Sequence, residues 1–513
     1  MAIFLVYTAS LVLILFVISY VFKLFTDTHR RLPPGPRPLP LIGNLLDIAG
    51  DLPHRSLARL ARRHGPLMTV RLGTVVAVVA SSPATAREIL QTHNGSITGR
   101  VPPDAWRGAG HAAHSVFVLP PRRKWRALRR IGAEHLLSPR LLDNDGRRRL
   151  RPILRDAVLG VLDRVSDLAS RGEPVEVGRV VFAAMVDMQW RAMFSARLDD
   201  GDDGAAASAH VLHDAAREAV AGSLKGNVSD FFPVLAALDV QGLRRRFARL
   251  VATVYRFIDE EIDRRMQRRR DAAGGGDGGA GGVNSGDLLD VLLDMSEREK
   301  GGGMVAMDRD VMRTFLADMF LATVDTIAST IEWAMAELLQ NQESMTKLHE
   351  ELTNVLGTSK THVEFDDTVP PGRHQRNTAP PPVPLVPNVA EEAVEIHGHG
   401  VIPKGTTVLV NLWAVHRDAE AWPDQPERFL HGADRPLGAA TTEFELIPFS
   451  AGRRVCLGLP LATRMLHAMV GSLMGRFVWT LPRDVVENGV DMTESLGLTM
   501  TMATPLQAIA KSV

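Results

Sequence analysis

Cysteine is nearly absent: the 513-residue chain contains one, Cys456. A disulfide framework is thereby excluded, and a reducing compartment is the straightforward reading. Net charge is absent as well, with 59 basic residues against 59 acidic ones and a pI near 7.4. Nothing in that balance gives a reason to expect a nucleic acid as partner. No internal repeat divides the chain.

What is present begins at the N-terminus. "IFLVYTASLVLILFVISYVFKLF", Ile3 to Phe25, is apolar up to Lys23 at its far end. About 20 such residues cross a hydrocarbon core of ~30 Å. A cleaved signal peptide is the competing reading, but no basic stretch precedes the run. Lys23, Arg30 and Arg31 follow it, which keeps the body on the cytosolic side. Residues 1–25 are therefore expected to be a membrane anchor. The proline-rich segment 26–44, ending in "LPPGPRPLPLIGN", reads as a stiff spacer.

From residue 45 to 513 one mainly α body with a minor β portion is expected. "HRSLARLARRHG" has the apolar spacing of an amphipathic helix; two short β-rich runs follow, then a helix started by Ser82-Pro83. Asp104 to Arg270 is largely helical in pattern, and "AAGGGDGGAGGVNSGD", residues 272–287, reads as a flexible surface loop. Met307 to Leu356 is again helical, β signals return near Ala393 to Val415, and a helix is expected over Pro460 to Phe477.

"PFSAGRRVCLGLPLATRML", Pro448 to Leu466, gives the lone cysteine a context. Phe449, Gly452, Arg454, Cys456 and Gly458 fit F-x-x-G-x-R-x-C-x-G. Two glycines let a backbone loop approach a flat ligand, and an arginine pairs with an anionic edge group. A cysteine just before a helix N-terminus has its thiolate stabilised by the positive helix end. A structural cysteine in a Gly-rich turn is the alternative, and five positions in register argue against it.

This motif resembles the haem-binding loop of the cytochrome P450 superfamily, and almost the whole chain is similar to its plant microsomal members. "KWRALRRIG" resembles the W-x-x-x-R helix, which implies Trp125 and Arg129 as contacts to a haem propionate. "NVSDFFPVLAALDVQGLRRR", "STIEWAMAELLQN" and "PKGTTVLVNLWAVHRD" resemble the subgroup that hydroxylates monoterpenols and diterpenes.

The resemblance implies haem b with Cys456 as axial ligand, a thiolate that favours O–O cleavage. It implies Asp325 and Thr326 in "ATVDTI" as the acid-alcohol pair that manages protons, on a helix locally distorted over the haem. A solvated polar pair is the alternative for those two residues. Thr323 and Ile327 depart from the family's [AG]-G-x-[DE]-T-[TS]. Arg454 joins Trp125 and Arg129 in holding haem carboxylates, while Phe449, Gly452 and Gly458 shape the loop. Partners implied are O2, a small apolar substrate and NADPH–cytochrome P450 reductase at an endoplasmic-reticulum membrane. The basic run Arg122 to Arg130 would either face that reductase or be a solvated helix face.

One family element is missing. "PERF", Pro426 to Phe429, supplies Arg428, but no E-x-x-R lies between Gln340 and Pro426. In its place stands "PPGRHQRNTAPPP", residues 370–382. Back-translated with suitable synonymous codons and read one nucleotide later, it gives L-Q-A-V-I-K-E-T-L-R-L-H-P, with E-T-L-R intact. A frame-shifted segment is therefore expected there. An Arg428 left unpaired would cost roughly 3–5 kcal/mol, so weak haem retention is expected of the chain as written. The alternatives to a haem-thiolate monooxygenase are a catalytically defective, membrane-anchored relic and a haem-thiolate isomerase or dehydratase needing no external electrons.

Overall fold

The structure is a computed structural model that describes residues 32–50, 52–137, 150–198, 205–222, 225–274, 286–299, 307–356, 363, 383–418, 420 and 444–512, and five isolated helical positions, Tyr7, Ser10, Ile14, Val17 and Ile18. Most of the expected anchor, the centre of the Gly-rich loop, the segment 370–382 and Arg428 lie outside these residues.

The largest sheet of the β portion has five strands of mixed direction. Its strands are β1 (Leu67–Leu72), β2 (Val75–Ala80), β3 (Ile97–Gly99), β4 (Leu385–Ala390) and β5 (Thr407–Asn411), in the spatial order β1-β2-β5-β4-β3. β2 pairs parallel with β5, and the other neighbours are antiparallel. The sequence "VVAVVA" of β2 suits its place as an inner strand, because both of its faces are covered. Val78 and Ala80 pack into one apolar cluster with Ile89, Leu90, Phe444 and Ile447. Ala77 and Val79 pack into another with Leu57 and Leu60 of helix α1 (Pro53–His64). A strand buried on both faces reads as a continuous apolar run, not as an alternation.

The helical body surrounds one long element. Chain order gives α2 (Pro83–Arg87), α3 (Arg123–His135), α4 (Leu150–Ser170), α5 (Val177–Phe194), α6 (Ala205–Gly222), α7 (Leu243–Gly274), α8 (Leu288–Glu299), α9 (Arg309–Gln340), α10 (Gln342–Leu356) and α11 (Leu459–Arg476). Ser82 caps α2 through a reciprocal bond with Thr85, as the Ser-Pro start predicts. α9 is apolar around most of its circumference, and such a helix belongs in a core. Among the described residues it is the one helix long and apolar enough to cross a membrane; two-thirds of its most apolar stretch is buried in the body. It packs mainly on α5, and α7, α10 and α11 flank it.

Two C-terminal features bear on the site. A hairpin of β6 (Glu494–Leu496) and β7 (Met500–Met502) reaches back to α9. Glu494 also accepts hydrogen bonds from Arg55 and Trp413 at 2.8 and 3.0 Å and lies 2.8 Å from His54 Nε2. This clasp ties the first long helix to the last hairpin.

Candidate active site

The cysteine loop is built by backbone constraints. Cys456 N–H donates to the Phe449 carbonyl at 3.0 Å, closing the loop around a 3-10 turn at Gly452–Arg454. Gly452 has φ +72°, and a Cβ there would overlap the carbonyl oxygen of Leu90. Only glycine fits. Gly458, at φ −83°, is the N-cap of α11 and has no such steric need.

Burial is the leading influence on the Cys456 thiol and pushes it up, while the N–H groups of Gly458 and Leu459 and the charge of Arg129 act the other way. The side chain nevertheless has accessible surface. The sulfur is closely surrounded by protein atoms and still open to contact, as a group on the wall of a recess is. The donors facing it are the first N–H groups of α11, the arrangement that stabilises a thiolate.

Arg129, whose charge acts on the sulfur, is one of three half-buried arginines grouped here. Arg454 donates to the carbonyls of Thr98, Phe117 and Leu119 at 2.6, 3.1 and 2.7 Å. Arg129 donates to the Val455 carbonyl at 2.7 Å, and Arg100 donates to that of Phe117 at 3.1 Å. Trp125 is their platform: the Arg129 and Arg454 guanidinium carbons each lie 5.1 Å from its ring centre. Its own N–H goes to the Val116 carbonyl at 3.0 Å, so in this structure the indole reaches an anion only through the arginines it carries.

Among the described residues no carboxylate lies within ion-pair distance of Arg100, Arg129 or Arg454. Burial, then mutual repulsion, pulls Arg454 down to about 9 and Arg100 down to about 10. The Nε of Arg100 is buried without a partner. A cluster of cations held only by carbonyls, with one orphaned donor, is chemically set for an anion. Haem carboxylates fit it, as the sulfur fits haem iron. Arg100 was missed by sequence reasoning, because in "TGRVPP" no local pattern separates it from the other 58 basic residues.

The cysteine loop, α3 and α9 meet at Gly132, where a Cβ would come within 2.9 Å of Leu457 and 3.3 Å of Phe315. Farther along α9, Ala322, Thr323, Thr326 and Thr330 are only half-buried amid buried neighbours. Their spacing puts them on one helix face, the least covered face of this stretch. The hydroxyls of Thr323, Thr326 and Thr330 donate back to Met319, Ala322 and Thr326 at 2.9, 2.8 and 2.7 Å.

One expectation for this helix needs correction. α9 runs as uninterrupted α-helix through this stretch, where a local distortion was expected. Asp325 and Thr326 each have their own hydrogen-bond partner. Asp325 is buried off the threonine face and accepts a hydrogen bond from Thr499, in the turn just before β7. Burial pushes its carboxyl up, opposed by the Thr499 hydroxyl and by Arg217. Thr499 is a second residue that sequence reasoning missed, being 174 positions away.

Comparison with known proteins now decides the family. Residues 33–369 and 379–506 match cytochrome P450. The chain belongs to the cytochrome P450 family. Its relatives include a geraniol 8-hydroxylase of Swertia mussotii, 37% identical over 95% of this chain and 94% of that protein. An oryzalexin E synthase of Oryza sativa subsp. japonica is 39% identical over 93% and 91%. A carnosic acid synthase of Rosmarinus officinalis is 37% identical over 95% and 96%. The family is one of oxidoreductases that use haem with a cysteine thiolate ligand, and the similarity is to plant terpenoid hydroxylases. Nothing in these comparisons supports the reading of this P450 as a non-enzyme relic. The match does break at residues 370–378, inside the segment that lacks E-x-x-R.

Proposed function

We propose that this P450 is a membrane-anchored monooxygenase that hydroxylates a small apolar terpenoid. The balance is RH + O2 + 2 e⁻ + 2 H⁺ → ROH + H2O, with NADPH as electron source through a flavoprotein reductase. The observation that carries the reading is the lone cysteine on the wall of a recess, faced by helix N–H donors and flanked by arginines without a carboxylate partner. Haem, when bound, supplies the oxygen-activating chemistry. Cys456 ligates its iron; Arg129 and Arg454, with Arg100, hold its carboxylates over the Trp125 platform. Phe449 and Gly452 set the loop, and Gly458 turns its N–H to the sulfur. The Ala322–Thr330 face lines the substrate space, Thr326 offers its hydroxyl there, and Asp325 is the proton carrier behind it.

Endoplasmic-reticulum attachment through residues 1–25 is part of the same proposal. It is supported by an exposed apolar edge of Val234, Leu238 and Val240. This edge follows Phe231, whose carbonyl accepts from Thr74 in the β1–β2 turn. The spacer runs along that same hairpin, since Pro34 accepts from Thr69. Arg122, Arg123 and Arg126, exposed on α3 outside the cysteine loop, are the proposed reductase-docking face. Residues 370–382 are proposed to be a frame-shifted reading of the E-x-x-R helix, supported by the break in the family match there.

The test is the carbon monoxide spectrum of the reduced protein, beside Cys456→Ser and a version with the reading frame of 370–382 restored. A thiolate-type Soret band that Cys456→Ser abolishes supports the function. Its absence even after restoration overturns it. Sequencing the transcript and the genomic locus decides the frame question separately.

A further inference from the structure

Thr499 is only 1% exposed, and its hydroxyl donates to the Asp325 carboxyl. The turn that presents it is fixed from both sides. Leu498 N–H donates to the Val220 carbonyl of α6 at 2.9 Å, and a Cβ on Gly497 would come within 2.9 Å of Ala221. From α9, Ser329 and Trp333 both donate to the Met500 carbonyl, at 2.8 and 2.9 Å. The hairpin tip is thus wedged between the end of α6 and the middle of α9, with Thr499 aimed at the acid. Meanwhile the Thr326 hydroxyl is engaged with the Ala322 carbonyl. The two halves of the acid-alcohol pair are held apart, one on the cavity face and the other turned to the hairpin.

We propose that Thr499 is a positioning residue that parks the Asp325 carboxyl off the cavity face, so that proton delivery requires Asp325 to leave the hairpin. This rests on the assignment of Asp325 as proton carrier. Because the same tip is bonded to α6, displacement of α6 changes the hold on the acid. Proton supply is thereby coupled to the position of that helix. The charged groups that act on Asp325 are Arg217 of α6 and, two turns on along α9, Glu332. Neither occupies the position of Thr499 as a direct hydrogen-bond donor to Asp325.

The test uses the haem-loaded full chain with Thr499→Val, Thr499→Ser and Asp325→Asn. Infrared difference spectra against Asp325→Asn identify the Asp325 carboxyl band. Thr499→Val is expected to move that band and to raise the pH at which it disappears, since a donor to the carboxylate is lost; Thr499→Ser is expected to restore both. With NADPH and reductase but no substrate, Thr499→Val is expected to oxidise NADPH and release hydrogen peroxide several-fold faster, and Thr499→Val/Asp325→Asn to match Asp325→Asn. An unmoved band, or a Thr499→Ser variant no closer to the parent than Thr499→Val, overturns the proposal. If Thr499→Val does not accumulate, Thr499→Ala serves the same readouts. Unchanged product formation in Asp325→Asn would overturn the proton-carrier assignment instead, while the band would still decide whether Thr499 holds the acid.

Discussion

Gly452→Ala and Gly458→Ala separate what the cysteine motif needs sterically from what it merely contains. At Gly452 the backbone has φ +72°, where an L side chain costs about 1 kcal/mol. The new Cβ would overlap Leu90 O and lie 3.2 Å from Leu90 C and 3.3 Å from Asn94 Cβ. Carbon and carbonyl oxygen rest about 3.3 Å apart, so the loop has to shift by about 1 Å. Overpacking of that kind costs roughly 1–3 kcal/mol. The total is about 3 kcal/mol, and because the shifted segment carries Cys456, haem occupancy falls with it. At Gly458 φ is ordinary, and a Cβ would touch only Cys456 Sγ, at 4.0 Å. Replacing glycine by alanine at an N-cap costs about 1 kcal/mol at most. Thermal unfolding of the haem-loaded protein, with haem-to-protein ratios, measures both. A Gly452→Ala protein within about 0.5 kcal/mol of the parent, the usual span of a neutral surface change, refutes the reasoning. So does a Gly458→Ala protein that loses as much.

The Glu494 clasp gives a pH dependence. Its hydrogen bonds from His54, Arg55 and Trp413 outweigh burial and hold the carboxyl down at about 2. A depressed carboxylate stabilises above its unfolded value and loses that contribution as pH falls toward the folded one. Glu494→Gln should therefore cost roughly 2–3 kcal/mol at neutral pH and little near pH 2, read by urea titration at both. Asp318 accepts from Ser115 Oγ and Val116 N–H at 3.1 and 2.7 Å, with His111 Nε2 at 3.2 Å. Asp318→Asn turns an acceptor into a donor among donors and should destabilise by roughly 2–4 kcal/mol, visible as earlier proteolysis in residues 104–119. Arg454→Met should lower haem retention severalfold, because it removes one of the cations set to face the haem carboxylates; haem transfer to a scavenger protein measures it.

The elements whose information is local were legible in the sequence. The amphipathic period of α1, the Ser-Pro start of α2, the continuous apolar run of β2 and the helix after Cys456 all lie where their residues put them. Cys456, Gly452 and Arg454 were legible because they share one ten-residue loop. Arg100 and Thr499 were not, since each acquires its role only when strands and helices far apart in sequence are brought together. The regularity of α9 was also missed: the expected distortion belongs to the family pattern, and Thr323 replaces the glycine that pattern has there.

The segment Ser115 to Leu119 shows why the anion site and the oxygen-side helix should not be treated as independent. On one side its carbonyls hold Trp125 at Val116, Arg100 and Arg454 at Phe117, and Arg454 again at Leu119. On the other, the Ser115 hydroxyl and Val116 N–H are fixed by Asp318, seven residues before Asp325 on α9. His111 extends the network through Tyr255 to Thr314, at 2.8 and 3.0 Å. Burial drives the Tyr255 phenol up to about 12, so at ordinary pH it serves as a neutral bridge. An anion that fixes the arginines therefore also fixes the segment whose carbonyls they hold and whose other side is bonded to α9. By linkage, whatever orders this segment favours the cofactor, and the cofactor orders the segment to the same extent. Hydrogen exchange in residues 111–119 should slow on haem loading, and Asp318→Asn should remove most of that protection while leaving Arg454 unchanged. If the protection survives in Asp318→Asn, the segment is held by the arginines alone and the two sites are not coupled through it.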